Sequence, residues 1–135
     1  MARTILLGIL LSLSISGHAS PEKIVYHLHT NNSSLFVISI NNLENLIQGM
    51  GNDPIDIRLL LQGGGIHLLN PASVSETLAL RLENLLTKGV TIETSKTNYQ
   101  QNEFFLDNRA APHLVDNIFS RAIELQRLGF RYITP

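Results

Sequence analysis

The sequence contains no cysteine and no tryptophan in its 135 residues. Without a thiol, the chain forms no disulfide, holds no metal through thiolate and uses no cysteine nucleophile. An excess of charge of one sign is also missing, since ten Lys and Arg against eleven Asp and Glu leave a net charge of −1. A nucleic-acid partner would need a basic surface, so we expect none. With 44% hydrophobic residues, the chain suits a single compact domain.

The first 19 residues have the composition of a secretory signal peptide. Arg3 supplies the positive start, residues 5–15 form an apolar run, and Gly17 and Ala19 are small residues before a cleavage point. The run is shorter than the roughly 20 residues that span a bilayer, so an uncleaved anchor or a buried helix is the weaker alternative. We expect cleavage after Ala19, a domain over residues 20–135, and a periplasmic or secreted protein without a stable membrane anchor.

The spacing of apolar residues predicts five strands that alternate with helices. The strands are expected at residues 23–29, 55–61, 90–94, 113–115 and 130–133, and the helices at 35–49, 73–88 and 118–128. Ser73 and Glu76 have the spacing of a capping box, and Gly89 and Gly129 follow predicted helix ends. Residues 95–109 are polar and weakly periodic, which indicates a loop with one helical turn near Phe104.

This order of elements is typical of an α/β fold with a mainly parallel sheet and helices on both faces. The second predicted strand differs from the others, because Asp56 and Arg58 interrupt its apolar pattern. A strand with one solvent-exposed face is expected at an edge of a sheet. We therefore predict that residues 55–61 form an edge strand.

Polar residues gather where the predicted strands end, and ligands of parallel sheets bind beyond the carboxyl ends of the strands. The candidate ligand-binding residues are His27 and His29, with Asn31, Asn32 and Ser33 after them; Gly63, Gly64, Gly65 and His67; and Ser95, Lys96, Thr97, Asn98 and Tyr99. We predict that these three groups form one rim.

Two histidines of the first strand share a face, because side-chain direction repeats every two residues. The Cβ atoms of His27 and His29 are expected about 6.5–7 Å apart, and His67 would add a third imidazole around a metal ion with an open coordination position. The simpler alternative is a hydrogen-bonded His27 and a solvated His29, with direct polar contact to a ligand as a third. His113 begins the fourth strand and is expected at the opposite edge. We expect no resident cofactor, with the metal as the alternative.

The run of Gly63, Gly64 and Gly65 ends the second strand. Such a turn can offer N–H groups to a phosphate, but neither a GxGxxG fingerprint nor a GK[ST] sequence is present. A tight turn that needs positive φ is the better interpretation.

Five strings of the sequence, in this order, resemble the DsrE/DsrF-type sulfur-relay superfamily, in particular its small single-domain members. The last string has the most specific pattern, and together they cover residues 23–135. They are KIVYHLH, INNLENLI, LLLQGGGIHLL, LENLLTKGVTIETSKTN and IELQRLGFRYITP.

The resemblance implies a three-layer α/β/α domain with a five-stranded sheet, assembled as a trimer or hexamer. It also implies a persulfide-carrying cysteine just after the third strand, where this chain has Ser95. A hydroxyl cannot become a persulfide, so sulfur transfer does not carry over. We expect an exported, non-catalytic DsrE-like binding or accessory module with an unidentified small ligand or protein partner. The alternative is a metal- or small-ligand-binding protein or enzyme that uses the strand-end histidines.

Subunit contacts of such an assembly are expected at hydrophobic residues without an obvious place in the core. These are Leu60, Tyr99, Phe104 and Phe105. For the two phenylalanines, packing of the loop onto its own domain is an equal alternative.

Overall fold

The computed structural model describes residues 20–135, and the predicted signal peptide lies outside them. The described chain alternates strands and helices, as its apolar pattern predicts. Its elements are β1 (Glu22–Leu28), α1 (Ser33–Met50), β2 (Ile55–Leu61), α2 (Glu76–Leu86), β3 (Val90–Ser95), α3 (Lys96–Asn102), β4 (His113–Val115), α4 (Ile118–Arg127) and β5 (Arg131–Ile133). A 3₁₀ helix follows β2 at Gly63–Leu69, and no helix in residues 20–135 is long and apolar enough to cross a membrane.

All five strands are parallel and lie in the order β4-β3-β2-β1-β5. The chain moves outward from β1 to β4, then returns across the sheet to place β5 on the other side of β1. The strand order therefore reverses beside β1, and such a reversal is where open α/β sheets form ligand crevices. The predicted α/β fold with a parallel sheet is confirmed.

The larger core lies between one face of the sheet and the helices α1 and α2. Tyr26, Leu59 and Ile92 point to this face from three neighbouring strands, and Phe36 of α1 and Leu82 of α2 pack against it. All five side chains are buried. The apolar stripes of the two helices account for this layer, since residues three and four apart share a helix face.

A smaller core lies on the opposite face, where α4 is the helix in contact with the sheet. Val25 of β1 and Leu60 of β2 pack here against Ile118 and Leu125 of α4, and Phe130 closes the cluster. Leu60 is fully buried, so its predicted role as a subunit contact is wrong. Its side chain points to the face that α4 covers.

The prediction that β2 is an edge strand is also wrong, because β2 pairs with β1 on one side and β3 on the other. Its charged residues are accommodated by an ion-pair network under α4. Arg58 Nε lies 2.7 Å from Asp56 Oδ1, and Glu93 of β3 accepts a 2.8 Å hydrogen bond from Arg121 Nε. Paired charges are tolerated on a covered sheet face, so a polar residue every second position does not identify an edge.

Two helix starts differ from the predictions. The side chain of Ser75, not Ser73, caps α2 by accepting the Leu78 N–H, so the predicted capping box is wrong. Residues 96–102 form α3 where a loop was expected. This helix has no buried residue, so it lacks the apolar stripe by which a helix is recognised in a sequence.

Candidate functional site

An open pocket of about 400 Å³ lies at the carboxyl end of β1, where the strand order reverses. It is formed by the ends of β1 and β2, the first turn of α4 and the edge strand β5. The lining residues are His27, His29, Gln62, Gly63, Phe119 and Tyr132. None of them is Lys, Arg, Asp or Glu, so the pocket is polar and aromatic without a fixed charge.

His27 is the centre of this pocket and is only 5% exposed. Its Nε2 lies 2.7 Å from Gln62 Oε1 and its Nδ1 lies 2.5 Å from Tyr132 Oη. Burial lowers the pKa of His27 below the ordinary value, although the hydrogen bond to Gln62 opposes this effect. A neutral ring satisfies both contacts when Nε2–H donates to Gln62 and Tyr132 Oη–H donates to Nδ1.

His29 lies beside His27, but the side chain of His29 is exposed whereas that of His27 is buried. The two ring centres are 5.7 Å apart and the rings are nearly perpendicular. The strand thus brings these two predicted residues together. His67 does not line the pocket, and its Nδ1 lies 3.4 Å from Asn70 Nδ2. Residues 20–135 contain no group of three or more His, Cys, Asp or Glu side chains placed around one ion.

The glycine run packs the 3₁₀ helix against the loop that follows β1. A Cβ atom on Gly65 would lie 2.9 Å from the carbonyl carbon of Leu28 and closer still to its oxygen, and one on Gly64 would lie 3.0 Å from Asn31 Cβ. Of these three glycines, only Gly63 has a positive φ, at 50°. Positive φ therefore explains one of the three glycines, while close backbone contact explains the other two.

Ser95 ends β3 and caps α3. Its Oγ accepts a 3.1 Å hydrogen bond from the Asn98 N–H. Asn98 in turn donates from Nδ2 to the Gly63 carbonyl oxygen at 3.1 Å. Ser95 thus has a structural role, and Asn98 joins α3 to the wall of the pocket.

The other predicted rim residues lie outside the pocket, and two of them have structural contacts. Asn32 caps α1 by accepting the Ser34 N–H, and Lys96 forms an ion pair with Asp116. Asn31, Ser33, Thr97 and Tyr99 do not line the pocket. His113 lies at the start of β4, which is the sheet edge away from β5.

Three pocket residues were absent from the sequence prediction, namely Gln62, Phe119 and Tyr132. Gln62 could have been found, because it directly follows the strand that ends at Leu61. Tyr132 and Phe119 could not, since their place depends on β5 pairing with β1 and on where α4 crosses the sheet.

A larger groove, of about 770 Å³, lies at the opposite end of the sheet. It runs between the last turns of α1 and α2 and the start of β2, and Glu44 and Lys88 are among its lining residues. We favour the smaller pocket as the functional site, because it lies beyond the carboxyl ends of the strands and at the reversal of strand order.

Comparison with known proteins supports the fold alone. No family model and no curated protein matches this chain. Among solved structures, the chain is similar to MTH1491, a protein of unknown function from Methanobacterium thermoautotrophicum. The TM-score is 0.69 at 17% identity, over 84% of this chain and 99% of the other. The described residues therefore form an α/β domain of the same overall architecture as that archaeal protein.

Proposed function

We propose that this protein is an exported, DsrE-like binding module that holds a small ligand at the carboxyl end of β1 and performs no sulfur transfer. One observation carries the proposal: a pocket organised around a buried, doubly hydrogen-bonded His27 lies at the same end of the sheet as Ser95, whose hydroxyl caps α3. The family chemistry needs a thiolate, and the chain has no cysteine. The pocket at the carboxyl end of β1 offers a preformed set of hydrogen-bonding groups instead.

The chemistry of the pocket favours binding over catalysis. His27 has both ring nitrogens occupied by Gln62 and Tyr132. Because the hydroxyl of Ser95 accepts the Asn98 N–H and so caps α3, we do not assign it as a nucleophile. Preformed polar groups in an aromatic pocket are typical of sites that select a ligand by shape and hydrogen bonds.

Assembly into a trimer or hexamer is part of the same proposal. Phe104 and Phe105 are 93% and 57% exposed in the single chain. Phe119 and Ile123, one turn apart on α4, are exposed as well. Exposed aromatic and aliphatic side chains of this kind are enriched at protein interfaces.

Expression of the full chain in a bacterial host, followed by fractionation and native mass spectrometry, tests export and assembly. We expect the periplasmic fraction to contain a chain that begins at Ser20 and forms a trimer or hexamer. Substitution of both Phe104 and Phe105 by Ser is expected to release smaller species. Recovery of uncleaved chain in the cytoplasm, or of a monomer at tens of micromolar, would overturn these parts of the proposal.

A further inference from the structure

The pocket at the end of β1 lacks the groups that bind anions or hard cations. No lysine or arginine lines it, so an anionic ligand would meet no opposite charge. No carboxylate lines it, whereas Ca²⁺ and Mg²⁺ are held mainly by carboxylate and carbonyl oxygens. What it does contain is a pair of imidazoles and a phenol. Imidazole is a preferred ligand of copper, nickel and zinc ions.

The spacing of the two rings fits coordination of one ion. Bonds of about 2.0–2.1 Å from zinc to nitrogen, at a tetrahedral angle, place two imidazole ring centres about 5 Å apart. The ring centres of His27 and His29 are 5.7 Å apart. The exposed His29 ring would have to move by under about 1 Å for both rings to bind one ion.

Gln62 already provides the support that a ligated histidine needs. A metal-binding imidazole donates its second N–H to an oxygen, which fixes the ring and its tautomer. Nε2–H of His27 does so to Gln62 Oε1 at 2.7 Å, and Nδ1 would exchange its hydrogen bond with Tyr132 for a bond to the ion. Tyr132 Oη, now 2.5 Å from that Nδ1, would move apart slightly, because two atoms bound to one ion lie about 3 Å apart.

We propose that His27, His29 and Tyr132 bind a divalent ion of the copper, nickel and zinc group, with Gln62 as the positioning residue. This inference rests on the proposed function, since it names the ligand class of the same pocket. It replaces the predicted third ligand His67 with the Tyr132 oxygen. Because the pocket is open to solvent, water or a small molecule can fill the remaining coordination positions.

Titration of the exported protein with Cu²⁺, after removal of metal by a chelator, tests the proposal. We expect one ion per chain and an electron paramagnetic resonance spectrum with hyperfine splitting from two imidazole nitrogens. His29→Ala is expected to weaken copper binding by more than about 100-fold and Gln62→Ala by about 10- to 100-fold. His67→Ala and His113→Ala are matched controls and are expected to bind like the unchanged protein, and Mg²⁺ is expected not to compete.

Copper binding that survives His29→Ala, or that His67→Ala removes equally, would overturn the proposed ligands. Gln62→Ala separates positioning from folding, because its circular dichroism is expected to match the unchanged protein while its copper spectrum changes. If copper fails to bind but an organic molecule co-purifies and is lost in Tyr132→Ala, the metal assignment falls and the proposed binding function stands. If neither is found, both fall.

Discussion

Replacement of Gly65 by alanine tests how closely the 3₁₀ helix packs against the carboxyl end of β1. An added Cβ would overlap the Leu28 carbonyl group, whose carbon lies 2.9 Å away. The obstacle is the backbone of the interior strand β1, which cannot rotate aside as a flexible side chain can. The 3₁₀ helix or the end of β1 would therefore have to shift.

The expected cost of Gly65→Ala is at least about 2 kcal/mol, in the range measured for overpacked sites. For a domain of this size, that lowers the melting temperature by about 6–12 °C. Gly49→Ala is the matched control, since Gly49 lies within α1 and an added Cβ meets no atom within 4 Å. It is expected to stabilise the protein by about 0.5–1 kcal/mol, because alanine favours a helix over glycine.

Urea unfolding followed by circular dichroism measures both variants. Gly64→Ala is expected to fall between them, because its Cβ would be 3.0 Å from Asn31. A Gly65→Ala protein with the stability of the unchanged chain would refute the close packing described here. The glycine run would then need another explanation, such as a role in ligand contact.

Three further predictions concern the smaller core, the α3 cap and a surface ion pair. Leu60→Ala is expected to lower the free energy of unfolding by about 2–5 kcal/mol, because Leu60 is fully buried under α4. If urea unfolding shows a loss of under about 1 kcal/mol, Leu60 is not part of the smaller core. Ser95→Ala is expected to lower the free energy of unfolding by about 0.5–2 kcal/mol, because the helix cap is lost, and Ser95→Asp is expected to restore most of this stability. If the two variants are equally stable, Ser95 does not act as a helix cap. Hydrogen bonds from Arg109 lower the pKa of Glu76 and Asp107, so their stabilising effect is complete at neutral pH and lost as the pH falls through those lowered values. The difference in unfolding free energy between Arg109→Gln and the unchanged chain should therefore shrink toward about pH 2, and a constant difference would contradict it.

Local patterns were enough to predict the order of elements. The β-branched and aromatic residues of β1, the period of two in β2, and the helical stripe that contains Phe36 and Ile40 predict elements that face a core. Each failure has a physical cause. Residues 96–102 bury nothing, so no stripe marks α3. Asp56 and Arg58 resemble an exposed strand face until the partner Glu93 is brought beside them by β3.

The candidate site was predictable only in part. His27, His29 and Gly63 follow from the rule that ligands bind beyond the carboxyl ends of strands. Tyr132 enters the pocket because β5 pairs with β1 across more than a hundred residues of chain. No periodicity encodes such a pairing. The place of Phe119 in the pocket could not be predicted for the same reason. It depends on α4, which leads into β5 and packs on the sheet face that carries Val25 of β1.

The central claim is that the pocket around His27, and not Ser95, is where this protein binds its ligand. Native mass spectrometry of the purified protein, compared with Tyr132→Ala and Ser95→Ala, tests this claim most directly. We expect an added mass on the unchanged protein that is retained in Ser95→Ala and lost in Tyr132→Ala. An added mass that survives Tyr132→Ala, or that disappears with Ser95→Ala, would contradict the account.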